Sequence, residues 1–222
     1  MQINHQSFND STSLFEGKFR SQWDEVSAAL SGILLHLKAS DQAGIQGHPI
    51  FDPVGTNQAI KNVLISSGWR SNILIREEFK FLGTDIDFEK GGLLVEVQFS
   101  NYPFLLNNLL RSELFFKAKV CFSGPPIEAV LIITKAHMFP ASNSTLYYEQ
   151  AVSQMSALAA NKVFEVPMRV VGLFEEVDRK IKVHWTEYHN SRYSRTVVKQ
   201  QEREAIISGG RSAQSRCHIE VK

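Results

Sequence analysis

The apolar positions along this chain change period several times. Trp23, Val26, Leu30, Ile33, Leu34 and Leu37 recur at helical spacing and predict a helix within residues 19–38. Asp52-Pro53 opens a second helical stretch over about 56–67, with Gly68 as its stop. Between Gly83 and Phe99 the sequence GTDIDFEKGGLLVEVQF reads instead as two strands, 81–88 and 93–99, around a turn at 89–92. A four-residue loop would pair Phe88 with Leu93, Ile86 with Val95, Thr84 with Val97 and Leu82 with Phe99. One face of that hairpin is apolar except for Thr84. The other carries Asp85, Asp87, Leu94, Glu96 and Gln98.

Further along, residues 103–119 read as a helix with Pro103 in its first turn. Residues 128–136 are a continuous apolar run, as in a strand buried on both faces. Residues 144–161 read as a helix that Ser144 could cap, and 166–174 as another strand. This order predicts an α/β fold: a mixed central β-sheet flanked by helices over 1–177, followed by a small β-leaning subdomain over 178–222. Tyr147, Tyr148 and the Met155/Leu158 stripe read as core, and His48 and His137 as structural histidines.

Composition changes this picture only locally. The 222 residues are 43% hydrophobic and carry a net charge of +1, so bulk charge gives no footprint for nucleic acid. From Arg179 onward, however, ten Lys/Arg stand against four Glu. A solvated tail and a phosphate-contacting surface both explain that excess. No apolar run reaches membrane-spanning length, and the first twenty residues lack the apolar stretch of an export signal. Cys121 and Cys217 are far apart in sequence, as expected of free thiols in a reducing cytoplasm.

The hairpin raises the chemical question. Asp85, Asp87 and Glu96 on one face repel one another, and burying them is costly unless a cation sits among them. A solvated outer face is one reading. A divalent-metal site of hard oxygen ligands, suited to Mg²⁺, is the other.

KASDQAG…IFDPVGTNQ, FLGTDIDF, LVEVQFSNYPFLLNN, RSELF, ITKAHMFPASNSTLYYEQA and RYSRT resemble, in order and spacing, the BglII-like type II restriction endonucleases of the PD-(D/E)xK superfamily. The resemblance is dense over about 38–172 and after Val177 is clear only at 192–196. It implies a homodimeric, Mg²⁺-dependent enzyme that cuts double-stranded DNA at the palindrome AGATCT, after the first A, beside a cognate methyltransferase that protects host sites. Localisation would be cytoplasmic, in a prokaryote.

The resemblance also implies residue roles. Asp87 would hold the metal, with the Val97 backbone carbonyl as second ligand and Glu96 reaching it through water. Gln98 stands where the superfamily has Lys. It cannot carry positive charge, so it would orient the attacking water, with Asn72 nearby. Ser100, Asn101, Asn143 and Ser144 would read base edges in the major groove, because amides and hydroxyls match base donors and acceptors there. Arg111 would contact phosphate or base, Tyr193 the DNA, and Arg195 the minor groove. Rival readings are a relaxed outer base pair, a monomeric nicking or repair nuclease, and a non-cleaving DNA-binding protein.

Overall fold

The structure, a computed structural model, is described for residues 1–141, 145–189, 195–209 and 215–222. Asn143, Ser144 and Tyr193 therefore lie outside the described residues.

The elements are β1 (Gln2–Phe8), α1 (Ser11–Glu16), α2 (Arg20–Gly32), β2 (Leu35–Ala39), β3 (Pro49–Phe51), α3 (Pro53–Ser66), β4 (Arg70–Leu74), a 3₁₀ helix (Glu77–Leu82), β5 (Asp85–Lys90) and β6 (Leu93–Val97). They continue with α4 (Pro103–Lys117), β7 (Ala129–Lys135), α5 (Tyr148–Ala160), β8 (Met168–Phe174), β9 (Arg179–Tyr188), β10 (Val197–Gly209) and β11 (Cys217–Val221). Six strands form one sheet in the order β1-β8-β7-β6-β5-β4. Its centre, β6-β7-β8, is parallel, and β5 and β1 run antiparallel at its flanks. The second sheet, β11-β10-β9-β2-β3, joins β9 in parallel to β2 from the N-terminal half.

The apolar run in β7 is explained by burial on both faces. Ala129, Leu131 and Ile133 enter a cluster with α1–α3 and the second sheet, whereas Val130 and Ile132 enter a cluster with α4 and α5. Tyr147, Tyr148 and Met155 are buried as expected, and Leu158 packs against the second cluster. Cys121 and Cys217 are free thiols.

Several local expectations are corrected. The helix expected over 19–38 stops at Gly32, and Leu35 and Leu37 instead alternate into the core from β2. Gly32 is a poor helix former, and the chain turns extended at Ile33. Helix α3 starts earlier than expected, at Pro53, because the Asp52 side chain accepts a hydrogen bond from the Val54 N–H. Helix α5 begins at Tyr148, because Tyr147 before it is extended (φ −123°, ψ 154°) and bridges to Lys135; the cap expected at Ser144 lies outside the described residues. Residues 77–82, read partly as strand, form the 3₁₀ helix.

The hairpin also differs. Lys90 pairs with Leu93 and Phe88 with Val95, across a two-residue turn of Gly91 and Gly92. Both glycines have positive φ (62° and 92°), the requirement of a tight hairpin turn. The shift is two residues, so the pairing keeps the same faces. The alternation breaks at Asp87: Phe88 packs in the first cluster and Ile86 in the second. The neighbouring strand is distorted at the same level, with Asn72 at φ 51° between the paired positions Ser71–Phe88 and Ile73–Ile86.

A Cβ at Gly92 would lie 2.6 Å from the Pro126 carbonyl oxygen, at a φ that L-residues rarely adopt. Gly92→Ala should therefore cost about 1–3 kcal/mol. Gly124→Ala, with nothing within 4 Å of its Cβ, should change stability by less than about 0.5 kcal/mol. Urea unfolding of both variants checks the contrast.

Candidate active site

A cleft of about 530 Å³ opens where β4, β5 and β6 meet α3. Val54, Asn57, Gln58 and Lys61 line it from α3, and Asn72, Asp85, Asp87, Phe88 and Val97 line it from the strands. Arg195 reaches it from the C-terminal region. The α3 contribution was missed from sequence. Its signal is the spacing of Val54, Asn57, Gln58 and Lys61, which puts all four on one helical face.

The two cleft aspartates differ. Asp85 accepts hydrogen bonds from the Thr84 hydroxyl (2.7 Å) and the Asn72 amide (3.1 Å). These bonds hold its carboxyl below the usual range. Asp87 accepts from the Val97 N–H (2.7 Å). Burial pushes its carboxyl up, and the Val97 bond only partly offsets this. An Asp carboxylate disfavoured by burial, beside the main chain of Val97 in the same cleft, suits a hard divalent cation with water in its shell. No cluster of three or more His, Cys, Asp or Glu side chains is found among the described residues, so such a cation would need main-chain, water or phosphate oxygens as well. Asn72 Oδ1 is hydrogen-bonded by the Lys61 ammonium, which brings a positive charge to the same wall.

Glu96 and Gln98 are buried, 3% and 7% exposed. Even-numbered residues of β6 face α4, and there Glu96 forms an ion pair with Arg111. Burial pushes the Glu96 carboxyl up, and the Arg111 guanidinium opposes it. Arg111 also donates to the carbonyls of Asp85 (3.0 Å) and Leu82 (3.5 Å) and to Asn108 Oδ1 (3.2 Å). The expectation of Arg111 at phosphate or base is thus corrected. It is 6% exposed, and its guanidinium serves as the internal counter-ion of Glu96.

Gln98 joins this region to the chain leaving β6. Its amide donates to Ser100 Oγ (2.7 Å), and its Oε1 accepts from the Asn108 amide (3.4 Å). Ser100 and Asn101 are exposed.

Opposed charges around a cleft, with exposed hydrogen-bonding residues one step along the same strand, suit a nuclease acting on an extended polyanion. Residues 3–173 match the family described as Restriction endonuclease BglII/BglIII. The type II restriction enzyme BglII of Bacillus subtilis is 55% identical over 177 residues, 80% of this chain and 79% of that one. A crystal structure of restriction endonuclease BglII complexed with a DNA 16-mer superposes with a TM-score of 0.94 at 46% identity, covering 100% of both chains. Free BglII gives 0.77 at 43% identity, again over 100% of both chains. The fold is therefore nearer to the DNA-bound relative than to the free one. The chain belongs to the BglII/BglIII restriction endonuclease family. It is a type II restriction endonuclease, a hydrolase that binds and cleaves DNA.

Arg111→Met would leave the Glu96 charge buried and unpaired, at a cost of about 3–5 kcal/mol. Adding Glu96→Gln should recover part of that loss. Denaturant unfolding of the two single variants and the double variant measures the coupling, and an additive double variant would contradict it.

Proposed function

We propose that the enzyme hydrolyses both strands of AGATCT after the first A, with Mg²⁺, leaving 5′ GATC overhangs. The observation that carries this reading is the continuity of one strand: Asp87 bonds to Val97 in the cleft, and Gln98 then bonds to the exposed Ser100 beside Asn101. That continuity supports a reading in which chemistry and base recognition lie a few residues apart.

In this mechanism Asp87 and the Val97 carbonyl would hold Mg²⁺. The ion, when bound, supplies charge neutralisation at the scissile phosphate and acidity for water. Lys61 and Arg195 add positive charge around the phosphate. Asn72, fixed between Lys61 and Asp85, orients the attacking water, and Gln98 does so from the β6 side. Glu96, paired with Arg111 on the α4 side of β6, would reach the metal only through water. Ser100, Asn101, Asn143 and Ser144 read the major groove, Tyr193 contacts the DNA, and Arg195 reaches the minor groove as well as the cleft. The working context is the cytoplasm of a prokaryote, where a cognate methyltransferase protects host sites. No helix among the described residues is long and apolar enough to cross a membrane.

A palindrome calls for a two-fold dimer. Leu106 and Leu110, one turn apart on α4, are 42% and 57% exposed, and they offer an apolar surface for a second copy.

The site reading is tested by digesting a plasmid with Mg²⁺ and sequencing the ends. Asp87→Asn should abolish cutting while DNA binding persists, because a carboxylate beside phosphate is lost. Asp85→Asn should retain measurable cutting. Equal loss in both variants would show that the metal-holding Asp is misassigned.

The dimer is tested with Leu106→Glu and Leu110→Glu. Each should sediment as a folded monomer and lose double-strand cleavage. A fully dimeric double variant would rule out this face.

A further inference from the structure

Lys135 is 1% exposed at the end of β7, and the mechanism above does not use it. Burying an ammonium is expensive, and buried lysines are ordinarily matched to a carboxylate. Among the described residues, none of the ion pairs includes Lys135. Its surroundings are main-chain and hydroxyl oxygens and aromatic rings. Its Nζ donates to Thr145 Oγ1 (2.5 Å), the Phe99 carbonyl (3.1 Å) and the Leu146 carbonyl (3.3 Å). A lysine has three donors, and all three are used. The rings of Tyr147, Phe51 and Phe99 lie 5.1, 5.4 and 5.8 Å from Nζ, where their faces stabilise a cation.

The acceptors belong to two chain segments. Phe99 immediately precedes Ser100 and Asn101, and Thr145–Leu146 leads into α5. Two further bonds tie the same segments together. The Thr145 hydroxyl donates to the Phe99 carbonyl (2.6 Å), and the Leu146 N–H donates to the Ser100 carbonyl (2.9 Å). Ser100 Oγ in turn receives the Gln98 amide. A continuous set of contacts therefore runs from Gln98 through Ser100 to Leu146, and Lys135 closes it. On the far side, Arg216 donates to the Ala141 carbonyl (3.5 Å) and sits over the Tyr147 ring. Burial first, and Arg216 second, pull Lys135 down to about 7. The cost of keeping a lysine here is thus real, and its hydrogen-bond set is what offsets it.

We propose that Lys135 is a positioning residue for specificity, holding the chain that leaves the catalytic strand at a fixed separation from the chain that enters α5. It does not touch DNA, being buried. It acts by fixing where Ser100 and Asn101 stand relative to Thr145–Leu146 and to Gln98. A correct base contact on one segment is thereby transmitted to the other and to the water-orienting amide. This rests on reading those two segments as base readers.

The test uses the full-length dimer under single-turnover conditions with saturating Mg²⁺. Rates are taken at the hexamer the wild type cuts fastest and at each of its single-base variants. Lys135→Met keeps the volume and removes the donors. Its rate at the best hexamer should fall about tenfold, and the ratio of best to next-best site should also fall about tenfold, the effect of about 1.4 kcal/mol. A merely structural role would slow every site by one common factor and leave the ratio unchanged. That result, or a wild-type ratio, would overturn the proposal. If Lys135→Met does not fold, Thr145→Val removes one link of the brace at equal size. It should shift the ratio in the same direction, and an unchanged ratio in that folded variant overturns the proposal equally. The best hexamer is found by measurement, so failure to cut AGATCT would sink the site assignment and not this inference. If no hexamer is cut, the same ratio read from equilibrium DNA binding without Mg²⁺ decides it.

Discussion

A carboxylate buried inside a sheet needs a cation, and the arrangement of this molecule around Glu96 follows from that need. Glu96 lies on the α4 side of β6, and Arg111 descends from α4 to meet it. Coulomb attraction in a poorly solvated site is strong, but it offsets the desolvation of both ions only when the remaining donors are also satisfied. The Asp85 and Leu82 carbonyls and Asn108 accept from the two terminal nitrogens of Arg111, while its Nε is buried with no hydrogen-bond partner among the described residues. The ion pair therefore fixes α4, the 3₁₀ helix and the start of β5 at once. Gly83 follows from the same packing, because a Cβ there would lie 2.6 Å from the guanidinium at φ 132°.

With Arg111 committed inward, the cleft draws its positive charge from elsewhere. Lys61 arrives on α3 and Arg195 from the C-terminal region, elements that belong to different layers. The two aspartates, only two residues apart, are differentiated by this environment. Asp85 is satisfied by Thr84 and Asn72, whereas Asp87 is more deeply buried, and its carboxyl is pushed in the opposite direction. Environment, and not residue type, gives two like groups different chemistry.

The second organising feature is the exit of β6. Parallel strands deliver their C-terminal ends to one edge of a sheet, so the chain leaving β6 and the chain leaving β7 come out side by side. Hydrogen bonds through Ser100, Thr145 and Lys135 make a single unit of them.

The sequence by itself determined the α/β class, the hairpin, α4 with Pro103 at its start, and the buried strand β7, but not which face each acidic residue takes: Asp85 and Asp87 line the cleft, whereas Glu96 turns to α4. The features it determined depend on local periodicity and on turn residues such as Gly91-Gly92, whose effects act within a few positions. It also carried the motifs that placed Asp87, Glu96 and Gln98 in their family. What only the tertiary structure decided depends on partners distant in the chain. The 19–38 stretch keeps its apolar residues but splits at Gly32, because Leu35 and Leu37 are claimed by a sheet completed at β9, almost 150 residues later. Arg111 looks like a free cation in sequence, and only the docking of α4 over β6 turns it toward Glu96. Lys135 goes unnoticed inside the apolar run of 128–136, and only the convergence of the two exits gives it partners. In each case the deciding contribution is the burial of a group against something non-local, and no short window of sequence contains that energy.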